Sequence, residues 1–265
     1  MQPRDRSAFA RVHLLREDPD LGAAIPPGEL GWAVEHCVVP AITIPRGSWS
    51  SEQQLPAGGI GYIVLDGLLV RRVGIDGRFG GELLGEGDLL RPWHGDDPTS
   101  NLSPTTGWKV ITRSRLAILD ERSTARLARY PALFGAITGR ALDRARRLAL
   151  MMAIVHHPRI EVRLHMLLWH LSDRWGRVGA DGITLPLGLS HSLLADLIAA
   201  QRPSVTGALG KLYDRGLVRA VDHGWLLIGE PPGEFLEIQE VEVPGAETPG
   251  TDLREGTATH PPFRR

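Results

Sequence analysis

Residues 190–212 read SHSLLADLIAAQRPSVTGALGKL, two short amphipathic runs on either side of Ala199-Ala200-Gln201. In the first run Ser190 is suited to cap a helix, and Leu194, Leu197 and Ile198 recur at helical spacing. In the second, Val205, Ala208, Leu209 and Leu212 do the same. Ala195 is small enough for a second helix to cross closely, and the β-branched Val205 packs into the angle. Two short helices held at a steep angle in this way make a helix-turn-helix, though an ordinary helical hairpin shares the pattern. Working outward, Gly216-Leu217-Val218 ends the second helix. His223-Gly224 separates two strand-like pieces, Val218–Val221 and Trp225–Ile228. A hairpin in that place is a wing. Gln201, Arg202, Ser204 and Thr206 crowd the start of the second helix, where a reading helix presents side chains to base edges.

The run LLADLIAAQRPSVTGALGKLYDRGLV followed by GWLLI resembles the DNA-binding domain of the Crp/Fnr family of bacterial transcription regulators, over about forty residues. The family pattern has a turn glycine followed by Arg-Glu-Thr-Val-Ser-Arg. Here Ala199 stands at the glycine, and Arg202-Pro203-Ser204-Val205-Thr206-Gly207 follows. Arg202 keeps the first arginine, Pro203 replaces the glutamate and Gly207 the second arginine. The resemblance therefore implies the fold and DNA binding, but not the family's usual operator sequence.

With 265 residues, 42% hydrophobic and 23% charged, the chain has the composition of a soluble globular protein of one or two domains. A net charge of −1 excludes a histone-like polycation. Cys37, the only cysteine, excludes an intramolecular disulfide framework and a multi-cysteine iron–sulfur site. No apolar run is long enough to span a bilayer and the first residues do not resemble a signal peptide, so a cytoplasmic protein is expected.

Ser7–Arg16 reads as an amphipathic helix, followed by a connection through Pro26-Pro27-Gly28. From Cys37 to Leu119 come short apolar runs, 37–44, 61–65, 68–73, 79–84, 108–112 and 116–119, with Asp66-Gly67 and Asp76-Gly77 as hairpin signals between them. This texture predicts an antiparallel β-roll or jelly roll. GYIVLDGLLVRRVGIDGR and the later Gly87-Asp88 resemble the cyclic-nucleotide-binding domain, the usual sensor half of Crp/Fnr proteins. Pro131 to Val155 is continuously helical, roughly 37 Å long, with an apolar stripe at Ile137, Ala141, Leu148, Met152 and Val155. It packs on its own β-roll or pairs with its twin across a two-fold axis, the second being the family arrangement. His157-Pro158 ends it. A further helix spans Arg159–Trp175, and Gly176–Gly188 is a loop with one strand-like piece at 183–187. After Pro244 the composition predicts a disordered tail.

The family's phosphate-binding cassette has Phe-Gly-Glu and a later arginine. After Gly87-Asp88 this chain has Leu89-Leu90-Arg91-Pro92, and no arginine lies between Asp96 and Gly107. Arg91 is a weak candidate for an effector contact, and cyclic AMP in the usual pose is not expected. The histidines have neither cupin nor metal-ligand spacing. Neither Gly59-Ile60-Gly61 nor Gly85-Glu86-Gly87 completes a dinucleotide fingerprint, and Gly210-Lys211 does not complete a P-loop.

The expected protein is α+β: a sensor β-roll over 1–128, a dimerisation helix and hinge over 129–157, a winged helix-turn-helix over 158–238 and a tail over 239–265. It is a non-enzymatic transcription regulator that binds a palindromic operator as a homodimer. The alternative is a cupin-like or nucleotide-sensing enzyme with an accessory helix-turn-helix. Ser192, Gln201, Arg202, Ser204, Thr206 and Lys211 are the expected DNA contacts, with no catalytic residue, metal or cofactor. Partners are double-stranded DNA and a second copy of the chain, with RNA polymerase a further candidate. A small-molecule effector is unknown or absent, and no membrane is involved.

Overall fold

The computed structural model describes residues 9–50, 59–91, 102 and 104–233. Its N-terminal half is built on two long strands, β4 (Gly61–Ile75) and β7 (Thr105–Leu119), in place of the four short ones expected. Around them lie β1 (Ala10–His13), β2 (Val38–Ile44), β3 (Gly47–Trp49), β5 (Arg78–Gly85) and β6 (Leu89–Leu90). The antiparallel sheet runs β1-β2-β7-β4-β5, with β3 added to β7 and β6 to β4.

Two Asp-Gly dipeptides on this sheet behave differently. Asp76 and Gly77 both take positive φ, 52° and 74°, between the paired residues Ile75 and Arg78, giving the expected two-residue hairpin. Asp66-Gly67 does not turn the chain. The β4–β7 register slips between Val64 and Leu69, so these residues form an irregular bulge inside one strand. Gly67 has φ 102°, and a Cβ there would lie 2.6 Å from Ser114 Cα. Only glycine fits so close a crossing.

The expected helix over Ser7–Arg16 is also corrected; residues 7 and 8 lie outside the described residues. Residues 10–13 pair with Val38–Ala41 as β1, and only α1 (Leu14–Glu17) is helical. The backbone hydrogen bonds offered by the edge of β2 prevail over a weak helical periodicity. A connection was expected through Pro26-Pro27-Gly28, yet Pro27 opens α2 (Pro27–His36), since a first helical turn needs no N–H from that residue.

After α3 (Glu121–Leu127), the long helix α4 covers Pro131–His156. Leu133 and Ile137 are buried in the cluster that joins α2 and α3 to one end of the roll. Beyond them the face toward the roll is made of arginines. Arg140 pairs with Asp18, Arg144 with Glu82 at 2.6 Å, and Arg147 with Asp88 at 2.6 Å. Asp88, only 3% exposed, also accepts from the Gly85 amide at 2.8 Å and from Arg174 of α5 (Ile160–Trp175) at 2.6 Å.

The expected apolar stripe on α4 is thus partly misplaced. Ile137 is buried in its own chain, and Leu148 is half-buried, lining a cavity with Leu84, Met151 and Leu167. The face turned away from the roll carries Thr138, Leu142, Ala145, Ala149 and Met152, all exposed and spaced alternately by four and three. Leu142 is 67% and Met152 62% exposed.

The C-terminal head packs α5, α6 (His191–Leu197) and α7 (Arg202–Asp214) against the sheet β10-β11-β9-β8. Its strands are β8 (Arg177–Gly179), β9 (Gly182–Leu185), β10 (Val218–Val221) and β11 (Gly224–Leu227). The segment expected as a loop with one strand is the hairpin β8–β9, and β9 pairs with β11 at Leu185↔Trp225. Leu164, Leu167, Leu168 and Leu171 of α5 are the centre of the head's apolar cluster, which also takes in Leu68 and Val70 of β4. Head and roll therefore share one core. No helix among the described residues is long and apolar enough to cross a membrane.

Candidate nucleic-acid interface

The angle between α6 and α7 follows from their sequence. Ser190 caps α6, its hydroxyl accepting from the Leu193 amide at 3.3 Å. The helix stops at Ile198, and Ala199 takes φ 51°, the left-handed conformation for which glycine is the usual residue. The Ala200 amide then closes the turn on the Ala195 carbonyl at 2.9 Å. Ala195 is buried and Val205 fully so, together with Leu194, Leu197, Ile198, Ala208, Leu209 and Leu212. Every apolar position that the spacing assigned to the inside of this motif is inside.

The rest of α7 faces solvent. Gln201 sits at its N-cap and makes no side-chain cap bond; Arg202 is its first residue, and both are exposed. Thr206, one turn on, is exposed and donates to the Arg202 carbonyl at 3.2 Å. Ser204 is half-buried and Ser192 of α6 exposed. Lys211 lies two turns along α7 from Ser204, and its Nζ is 3.8 Å from Glu161 of α5. The carboxyl of Glu161 is held below the usual range by a backbone hydrogen bond and, secondarily, by Lys211. At Gly207 and Gly210 an added Cβ would meet nothing within 4 Å, so the helix is bare backbone there. All six expected DNA contacts lie on α6 and α7 or at the N-cap between them.

Past α7, Gly216 with φ 69° ends the helix, and the wing follows as β10 and β11 joined at Asp222-His223. Arg215 and Arg219 are exposed there. Two positioning residues escaped the sequence reading. Arg163 of α5 reaches the His157 carbonyl at the hinge and the Ile198 carbonyl, at 3.4 Å, in the turn. His191, at the start of α6, has Nδ1 2.9 Å from the Thr206 hydroxyl. Its place directly after the capping serine was the available signal.

In the roll, Arg91 is exposed at the end of β6 and has no ion-pair partner among the described residues. Pro92, Asp96 and Asp97 lie outside the described residues. Among those described, no group of three His, Cys, Asp or Glu side chains is placed to hold a metal.

Residues 162–233 match the model of the Crp-like helix-turn-helix domain. No curated protein matches the chain. Among solved structures, a cyclic nucleotide-binding domain containing protein from Listeria monocytogenes EGD-e superposes with a TM-score of 0.58 at 16% identity, over 79% of this chain and 96% of that one. A CooA mutant from Carboxydothermus hydrogenoformans gives 0.57 at 15%, over 76% and 87%. CLP, a c-di-GMP responsive global regulator from Xanthomonas campestris, gives 0.53 at 18%, over 77% and 100%. The likeness is one of fold, and it extends from the β-roll through the head.

Proposed function

We infer that this chain, of Crp/Fnr type in its fold and in its Crp-like helix-turn-helix domain, regulates transcription by binding a palindromic DNA operator as a homodimer. The observation that carries the reading is α7. It is held rigidly by buried Val205, Ala208, Leu209 and Leu212 while Arg202, Thr206 and Lys211 stand out in solvent. A helix presented in this way fits the major groove. Arg202 at its first turn contacts a base edge, guanine being the usual arginine partner. Ser192, Ser204 and Thr206 hold phosphates and set the register, flanked by Gln201 and Lys211.

The outward apolar seam of α4, from Thr138 to Met152, supports the dimer. An alternating four-three spacing is that of a coiled coil, and left open it would expose a contiguous apolar strip. Two copies joined along it would offer two α7 helices to half-sites about 34–36 Å apart. Cyclic AMP does not switch this protein, because Arg91 and Pro92 stand at the Gly-Glu positions of the cassette. Losing a charged acceptor costs about 1.5–3 kcal/mol.

Selection of duplexes from a random pool by the purified chain tests this reading. The expected outcome is an enriched site with two-fold symmetry, bound by two chains and unaffected by cyclic AMP. Recovery of no sequence, or of a site bound by one chain, contradicts it.

A further inference from the structure

Among the described residues, His191 is the titratable side chain hydrogen-bonded to the side chain of an expected DNA contact on α7. Its Nδ1 lies 2.9 Å from Thr206 Oγ1, and the same oxygen lies 3.2 Å from the Arg202 carbonyl. A carbonyl can only accept, so the single hydroxyl proton of Thr206 goes to Arg202. The remaining contact must then be Nδ1–H donating to Oγ1. In this pairing neutral His191 carries its proton on Nδ1, and Nε2 is left with a lone pair. The ring makes no other hydrogen bond among the described residues, and His191 is half-exposed beside the exposed Ser192.

On α7 the charged group one turn from Thr206 is Arg202, and on α6 Asp196 is engaged by Arg72 at 3.1 Å. The wing turn Asp222-His223 approaches the segment before α6, with the His223 carbonyl 3.9 Å from where a Cβ on Gly188 would stand. No described carboxylate pairs with His191. Protonation adds an N–H at Nε2 without disturbing the Nδ1 bond, because Nδ1 donates in both states.

We propose that His191 is a proton-gated phosphate contact, a reading that rests on the DNA binding inferred above. In the protonated form Nε2–H donates to a phosphate oxygen while Nδ1–H holds the Thr206 hydroxyl in place. In the neutral form Nε2 presents a lone pair to the phosphate and the contact is lost. Phosphate, not a base, is the partner because the first helix of this motif crosses the backbone. Each head gains one charge-assisted contact when His191 is protonated.

The test is equilibrium binding to a mixed-sequence duplex of about 40 base pairs, measured against salt near pH 5.5 and near pH 8. For the wild type, the slope of log K against log salt should be steeper at the lower pH by about 0.9 for each head engaged. His191→Gln should lose that difference and keep the shallower slope. His191→Arg should keep the steeper slope at both values, and His223→Gln should behave as wild type. Thermal unfolding of each variant checks that it folds. A nitrogen-detected imidazole spectrum of the free protein should show the Nδ1–H tautomer near pH 8. Equal pH dependence in wild type and His191→Gln, a wild-type slope that does not change with pH, or an Nε2–H tautomer overturns the proposal while leaving DNA binding intact. No duplex binding at any pH overturns both.

Discussion

Helices α4 and α5 are neighbours in the chain and face the same β-roll, yet they are built in opposite senses. α5 is an ordinary amphipathic helix: its leucines, 164, 167, 168 and 171, are buried in the head. α4 turns arginines 140, 144 and 147 toward the roll and leaves Leu142, Ala145, Ala149 and Met152 outside. The roll receives the arginines with Asp18, Glu82 and Asp88, so the inward face of α4 is stabilised by charge pairing in a half-buried seam. A helix that turns arginines toward its own chain along its middle and leaves a second, apolar strip in solvent is suited to meet a second copy. Apolar spacing reveals a stripe; it does not reveal which side of the stripe the chain itself covers.

The comparison can be broken most sharply at Asp88. Removing this nearly buried carboxylate leaves the half-buried Arg147 and Arg174 without their shared partner and the Gly85 amide without its acceptor, so Asp88→Ala should cost about 3–5 kcal/mol in denaturant unfolding. A loss below about 1 kcal/mol would show that the arginine face of α4 is held by something else. Leu168→Ala, in the fully buried centre of α5, should cost about 2–5 kcal/mol. Leu142→Glu, on the outer face of α4, should leave the unfolding of a single chain within about 0.5 kcal/mol of wild type. In sedimentation the same variant should be a monomer where the wild type is a dimer. Equal stability losses for Leu168→Ala and Leu142→Glu would erase the distinction between the two helices.

Two smaller effects sharpen the account of the head. Ala199 holds a left-handed φ without being glycine, so Ala199→Gly should raise stability by about 1 kcal/mol. His165 of α5 is buried, and burial pushes its imidazole below its ordinary value of 6.5. Its Nε2 accepts from Trp169 Nε1 at 3.0 Å, which also requires the neutral ring. Below pH 6.5 the unfolded chain takes up a proton that the folded one resists. Stability should therefore fall with pH from that point until the folded imidazole titrates, by at most about 1.4 kcal/mol per pH unit. Subtracting the profile of His165→Gln isolates this contribution; identical profiles would contradict it.

What was legible in the sequence was mostly local. Residues 190–212 declare their helices because capping, turn and spacing all act within a few positions, and each residue that the spacing puts inside is buried, with Leu193 buried beside them. The Asp76-Gly77 hairpin is legible for the same reason. Asp66-Gly67 is not, because its role depends on Ser114 crossing beside it from β7, nearly fifty residues away. β1 was read as helix because its edge pairing with β2 has no local signature. The seam of α4 was assigned to the wrong face in part because the acids that receive its arginines lie on the roll and in the segment before α2. Of the candidate interface, the six polar positions are proposed from their place at the start of α7 and around it. The bond from His191 to Thr206 required knowing how the two helices cross.

The central claim is that the exposed start of α7 reads sequence while the rest of the head grips phosphate. Binding of wild type, Arg202→Ala and Lys211→Ala to a selected site and to a scrambled duplex, across a range of salt, tests it most directly. Arg202→Ala should lose about 1–3 kcal/mol of preference for the selected site and keep most of its salt-dependent affinity for the scrambled one. Lys211→Ala should keep the preference. Equal losses of preference in the two variants, or no preference in the wild type, would contradict the account.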